Sequence, residues 1–147
     1  MLLLAAVGYW QQSAETVTGM ARAIDGDSLR LGARELRLAG IDAPELHQSC
    51  EHEAGFYPCG REAQNYLNRL LARAPITCTI RENDRYGRGL ALCRQGEMDV
   101  NAELVREGQA IAYGRFDAEE RQARASRRGV WAGRFERPAD WRRAHPR

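Results

Sequence analysis

Three short corners of this chain carry residue types that can do chemistry. The first is Asp25-Gly26-Asp27, the second is Arg37-Leu38-Ala39-Gly40-Ile41-Asp42-Ala43-Pro44-Glu45, and the third is Asp84-Arg85-Tyr86-Gly87-Arg88. In the second, a strand pattern with apolar Leu36, Leu38 and Ile41 stops at Pro44, which has no N–H to offer a ladder. Two acids three positions apart at a strand end make poor packing material and good ligands. Asp27, Asp42 and Glu45 present hard oxygens, a donor set that suits Ca²⁺ or Mg²⁺ rather than zinc. Asp25 is expected to shape its own turn, with Gly26 supplying backbone freedom there.

Other elements must hold these corners in place. Residues 16–23 alternate loosely into the first corner, 28–31 return as a second strand, and 35–41 form a third, which together make a meander. Residues 46–58 show no period and read as a loop. From Arg61 the period changes: Ala63, Tyr66, Leu67, Leu70 and Leu71 fall on one helical stripe. That helix ends at Ala74-Pro75, because proline disfavours helical geometry in the residue before it. The β-branched run 76–80 predicts a fourth strand, and 89–94 a fifth after the third corner. A short helix over 100–107 is closed by Gly108, and Asp117 is expected to cap a helix over 118–128 that Gly129 ends. Periodicity alone therefore gives a mixed α and β fold.

With 147 residues the chain fits one domain, expected over 13–147 with a basic C-terminal tail, after an apolar segment 1–12. The apolar fraction of 44% and charged fraction of 29% exclude a collagen, coiled-coil or low-complexity chain. The net charge of +2 says little about partners, but its distribution says more. Residues 121–147 hold nine arginines against Glu136 and Asp140, a tail that could meet phosphates. All 22 basic side chains are arginine.

The apolar start is too short to span a bilayer, which needs about 20 residues. It has the character of a secretion signal without its charged leader, so a truncated signal, a short anchor and an N-terminal strand all remain open. Four cysteines, an even number, point to pairing in an oxidising compartment. Cys78 and Cys93 sit on the two arms of one expected hairpin, nearly equidistant from its turn, and Cys50 and Cys59 flank the polar loop. The expected pairs are therefore Cys50 with Cys59 and Cys78 with Cys93. The expected location is extracytoplasmic: periplasmic, secreted or anchored by the N-terminus.

Taken in order, Ile24-Asp25-Gly26-Asp27-Ser28, the 37–45 stretch and the 84–88 turn resemble the staphylococcal-nuclease-like (thermonuclease) family. Leu104-Val105-Arg106-Glu107-Gly108 and Gly129-Val130-Trp131 extend the resemblance over about 17–131. It implies an α+β, mainly β fold: a five-stranded oligonucleotide-binding (OB-fold) barrel with about three helices. It implies a Ca²⁺-dependent endonuclease that hydrolyses phosphodiester bonds of DNA and RNA to 3′-phosphate products. Residue by residue, Asp27, Asp42 and the backbone carbonyl of Ala43 would hold the Ca²⁺, with alanine standing where the family often has threonine. Glu45 would orient or deprotonate the attacking water. Arg37 and Arg88 would clamp the phosphate, for which a planar fork of donors is better suited than an ammonium. Arg85, Tyr86 and Tyr113 match the nucleotide pocket, and Arg115 stands where a second tyrosine is common. The charges are consistent: three carboxylates against two arginines, a divalent ion and a singly charged diester leave the filled site neutral.

The resemblance implies a DNA or RNA substrate, single strands favoured, and a monomer without a protein partner. A catalytically silent nucleic-acid-binding module of the same fold is the alternative. The presence of all five of Asp27, Arg37, Asp42, Glu45 and Arg88 favours the enzyme. His47, His52 and His145 match no ligand pattern and are expected to be solvated.

Overall fold

The computed structural model describes residues 13–147, so the apolar 1–12 segment lies outside the described residues. The expected meander forms as β1 (Glu15–Gly19), β2 (Ala21–Ala23), β3 (Ser28–Leu31) and β4 (Arg34–Leu38). There follow β5 (Ile41–Asp42), β6 (Cys50–His52), β7 (Gly55–Tyr57), α1 (Cys59–Leu71), β8 (Ile76–Asn83), β9 (Gly89–Gln95) and β10 (Met98–Asp99). The chain ends with α2 (Val100–Arg106), β11 (Ile111–Ala112), α3 (Asp117–Ala125), a 3-10 turn at Gly129–Ala132, and α4 (Pro138–Ala144).

The main sheet runs β1-β8-β9-β4-β3-β2, so β1 and β2 lie at its two ends. Only Met20 separates them in sequence. They are therefore two halves of one bent strand, the first half paired with β8 and the second with β3. The two ends of the sheet are thus tied together, and five strand lines curl into the expected OB-fold-like barrel. Leu29, Leu36, Leu38, Ile76, Ile80 and Ala91 fill it, and α1 adds Ala63, Leu67, Leu70 and Leu71 to the same core. Each fully buried leucine contributes roughly 1.5–3 kcal/mol, which makes this core the rigid base of everything below.

β4 and β9 pair in parallel, with Arg37 opposite Leu90, so the 84–88 turn lies beside the strand that carries Arg37. The third strand does not run unbroken to Ile41 as expected. It breaks at Ala39-Gly40, where Gly40 has φ +78, and β5 pairs with β11 instead. A fully buried side chain fixes this break: Asn101 Nδ2 donates to the carbonyls of Ala39 (2.9 Å) and Ala91 (3.0 Å), while its Oδ1 accepts the N–H of Cys93 (3.1 Å).

The expected 46–58 loop contains the β6–β7 hairpin, which bridges through Glu51 to Arg134 and packs Cys50 and Tyr57 into a small second cluster with Cys59, Ile111 and Val130 rather than into the barrel core. Both expected disulfides form, Cys50–Cys59 and Cys78–Cys93, and the latter joins directly opposed residues of β8 and β9. Asp117 is the first residue of α3 rather than its cap, since Phe116 takes that place with φ 64. The described residues hold four α-helices rather than about three. The additional one, α4, starts with Pro138 inside its first turn, where a missing N–H costs nothing. Among its residues only Pro138 is buried, so no apolar stripe marked it in the sequence.

Candidate active site

The site grows out of the turn between β2 and β3. Asp25 Oδ1 accepts the N–H groups of Asp27 (3.0 Å) and Ser28 (2.8 Å) and the Ser28 hydroxyl (2.7 Å). It ties the turn, as expected, and leaves the Asp27 side chain aimed inward. Gly26 is needed for a different reason from the one the sequence suggests. Its φ is not positive; rather, a Cβ there would lie 2.7 Å from both Ala43 Cβ and Ala63 Cβ. Its lack of a side chain lets the turn seat between β5 and α1.

Asp27 Oδ2 accepts the Ala43 N–H at 2.7 Å and meets Arg37 Nη1 at 2.8 Å. Burial pushes the Asp27 carboxyl up to about 8, with the charges of Asp25 and Asp42 adding to the rise. The Arg37 guanidinium and the Ala43 N–H pull the other way without overcoming it. Arg37 projects from β4 and spreads its fork between two segments. Nη1 reaches the Asp27 carbonyl (3.3 Å), and Nη2 reaches the Ile41 carbonyl (3.3 Å) and Asp42 Oδ1 (3.5 Å).

Asp42, at the end of β5, is 3% exposed. Glu45 follows Pro44, and two neighbours, Gln48 and the start of α1, fix its backbone. Its N–H donates to Gln48 Oε1 (3.1 Å), and Gln48, itself 1% exposed, donates from Nε2 to the Glu136 carbonyl (2.7 Å). The start of α1 lies against the Glu45 carbonyl so closely that a Cβ on Gly60 would sit 1.7 Å from that oxygen.

The residue that completes this corner comes from α4. Arg142 donates from Nη1 and Nη2 to the two oxygens of Asp42 (3.1 and 3.2 Å) and from Nη1 to Glu45 Oε1 (2.8 Å). The hydrogen bond it donates to Asp42 is the largest influence holding the Arg142 guanidinium in its charged form, and Glu45 adds to it. The sequence marked this tail as basic but assigned it to phosphates; here one of its arginines faces carboxylates. No sequence signal separated Arg142 from its neighbours, nor pointed to Gln48 or Asn101.

Asp27, Arg37, Asp42, Ala43 and Glu45 are thus brought together. Arg88 stands apart from them on the neighbouring turn. Its Nε meets Asp84 Oδ2 at 2.8 Å, and its guanidinium lies 5.5 Å from the Tyr86 ring centre. Partial burial favours the neutral form of Asp84, but the N–H groups of Arg88 and Tyr86 and the Arg88 side chain hold its carboxyl below the usual range. Two positions beyond Arg88 comes Leu90, the ladder partner of Arg37, so alternation puts both arginines toward the same face. Arg85 lies 4.9 Å from the Tyr86 ring centre. Tyr86 and Tyr113 are 69% and 72% exposed, and the Tyr113 N–H is tied to the Gly40 carbonyl (2.9 Å). His52 stacks on Tyr57 and is half-buried, whereas His145 stacks on Trp141 and stays exposed.

Three carboxylates facing two guanidinium groups make a set whose chemistry fits a hard cation. Among the described residues, no three acidic, histidine or cysteine side chains form a ready cage for a metal ion; guanidinium groups stand between them. Asp27, Asp42, Glu45 and the Ala43 carbonyl are the groups that could hold one. The exposed arginines and tyrosines alongside can take a phosphate and flat rings.

The family model described as "Staphylococcal nuclease homologue" matches residues 35–133. Three similar proteins give the range of relatives. A succinoglycan biosynthesis protein of Rhizobium meliloti (strain 1021) is 34% identical over 127 residues, covering 81% of this chain and 66% of that protein. A "probable staphylococcal-like nuclease" of Oryza sativa subsp. japonica is 31% identical over 115 residues, 74% of this chain and 28% of that protein. An "uncharacterized endonuclease" of Escherichia coli O157:H7 is 31% identical over 124 residues, 77% of this chain and 75% of that protein. The chain therefore spans about two thirds of the rhizobial protein and under a third of the plant nuclease.

Proposed function

This chain belongs to the staphylococcal nuclease homologue family, and from that premise we propose that it is a Ca²⁺-dependent endonuclease hydrolysing phosphodiester bonds of DNA and RNA to 3′-phosphate products. The observation that carries this reading is the convergence of Asp27, Arg37, Asp42 and Glu45, from the β2–β3 turn, β4 and the corner after β5, on one place. A module that only binds has no need for three carboxylates facing the path of a polyanion.

Asp27, Asp42 and the Ala43 carbonyl are the proposed Ca²⁺ ligands; the bound ion would supply Lewis-acid neutralisation of phosphate charge. Glu45 is the proposed general base. With its backbone held by Gln48 and by the start of α1, its carboxylate takes a proton from the attacking water. The water oxygen bonds to phosphorus, the bond to the 5′ oxygen breaks, and that oxygen takes a proton from solvent, so that a 3′-phosphate and a 5′-hydroxyl result. Arg37, from β4, and Arg88, from the turn that precedes β9, face the non-bridging oxygens, where negative charge grows in the transition state. Exposed Tyr86 and Tyr113, with Arg85, offer stacking surfaces that favour unpaired bases and hence single strands.

The two disulfides support an oxidising, extracytoplasmic location. Among the described residues no helix is long and apolar enough to cross a membrane. The protein is proposed to act as a monomer.

The test is cleavage of single-stranded DNA and of RNA with Ca²⁺, Mg²⁺ or a chelator, with the product ends identified. Ca²⁺-dependent cleavage leaving 3′-phosphates is expected. Binding without cleavage in all three conditions would favour the silent module.

A further inference from the structure

The carboxylate corner is closed from outside by a segment that lies beyond the 35–133 family match. Arg142 spans both oxygens of Asp42 and takes a third bond to Glu45. An ion that needs Asp42 as a ligand meets a guanidinium already bonded to both of its oxygens. Coexistence is also unfavourable electrostatically, since a divalent ion on Asp42 would stand within a few ångströms of the Arg142 charge.

α4 is built to leave without disturbing the core. It has seven residues, its only buried one is Pro138, and none of its residues belongs to the barrel core. Its remaining contacts are largely internal, an Arg143–Asp140 ion pair and the stack of His145 on Trp141. The root of the segment is anchored separately, by the Gln48 bond to the Glu136 carbonyl. Residues 137–144 therefore form an arm with a fixed root and one strong electrostatic contact at its far end.

We propose that α4 is an intramolecular strap: Arg142 occupies the carboxylate corner in the metal-free protein and has to leave Asp42 before a divalent cation binds there. This rests on the proposed assignment of Asp42 as a metal ligand. The strap multiplies the apparent cation affinity by the fraction of time it is open and compensates the charges of Asp42 and Glu45 when no ion is present.

Calorimetric titration of the full chain with Ca²⁺ tests this, comparing the unaltered protein with Arg142→Gln, Arg142→Lys and Arg143→Gln. Melting in chelator first confirms that each is folded. Arg142→Gln is expected to tighten the Ca²⁺ Kd by about tenfold or more, and Arg142→Lys, which keeps a charge but loses the fork, by less. Arg143→Gln removes the same charge from the same helix but touches only Asp140, and its Kd should stay within about twofold.

Equal Ca²⁺ binding by the unaltered protein and Arg142→Gln would overturn the strap while leaving the metal assignment intact. An equal gain in Arg143→Gln would also overturn it, by showing a general charge effect. If neither the unaltered protein nor Arg142→Gln binds millimolar Ca²⁺, the strap and the metal assignment fail together. As an independent readout, Ca²⁺ should speed trypsin cleavage at Arg142 and Arg143 in the unaltered protein, and an unchanged rate would refute release of the arm.

Discussion

Replacing Gly60 by alanine separates two physical effects of opposite sign. Gly60 lies in the first turn of α1 and its φ is not positive. Helix propensity alone therefore favours alanine by up to about 1 kcal/mol. Packing says the reverse, because the new Cβ would stand 1.7 Å from the Glu45 carbonyl oxygen, 2.6 Å from its carbon and 2.8 Å from the Leu46 oxygen. Those atoms are backbone and cannot rotate away, so relief requires a shift of roughly 1.5 Å.

α1 is the less movable partner, anchored by Ala63, Leu67, Leu70 and Leu71 in the core and by the Cys50–Cys59 bridge. The Glu45 segment should yield, losing its N–H bond to Gln48. Overpacking of this kind costs about 1–3 kcal/mol, a fall in melting temperature of roughly 3–10 °C for a domain of this size. A displacement of an ångström or more at a general base costs about 10²-fold in turnover. Thermal melts, with turnover and substrate Kd measured separately at a temperature where the variant is folded, check both numbers. A variant at least as stable as the original with normal turnover would refute the claim that α1 positions Glu45.

Glu45→Gln and Arg88→Ala should each lower turnover by at least about 10²-fold with little change in substrate binding, the scale of losing a base or an oxyanion donor; near-normal turnover in either would remove that residue from the mechanism. Because burial raises Asp27 to about 8 in the folded protein, the metal-free fold binds a proton that the unfolded chain releases near pH 4. Its stability should therefore fall as pH rises from about 4 to 8, a trend measurable by melting in chelator and flattened in Asp27→Asn; an unchanged slope in that variant would assign it to other groups. The bridges close spans of 9 and 15 residues, so opening either by paired Cys→Ala substitution should cost about 3 kcal/mol, read from denaturant midpoints, and a loss below about 1 kcal/mol would show that the open chain is restrained by something else.

The local signals in this chain were chemical and short-range. Pro44 ended a strand beside two acids, Asp25 tied a turn, and an apolar stripe from Ala63 to Leu71 marked α1. Cys78–Cys93 was legible because hairpin geometry is a property of spacing, and Cys50–Cys59 because the two flank one short polar loop. These signals sufficed for the five strand lines and α1, which depend on periods and turns within a few residues; that Asp27, Arg37, Asp42 and Glu45 share one site was implied by the family resemblance, because their meeting depends on contacts between segments.

Other features depend on contacts between segments distant in sequence. The reason for Gly26 is a three-way approach of a turn, β5 and α1, which no local pattern encodes. The break at Gly40 is held by Asn101, 61 positions later, and Glu45 by Gln48, whose own partner is the Glu136 carbonyl. Arg142 reaches Asp42 across 100 positions. In sequence it is one of nine arginines in a basic tail. Which of them meets a carboxylate is decided by where α4 folds back, because charge acts through space and only the tertiary structure sets that distance.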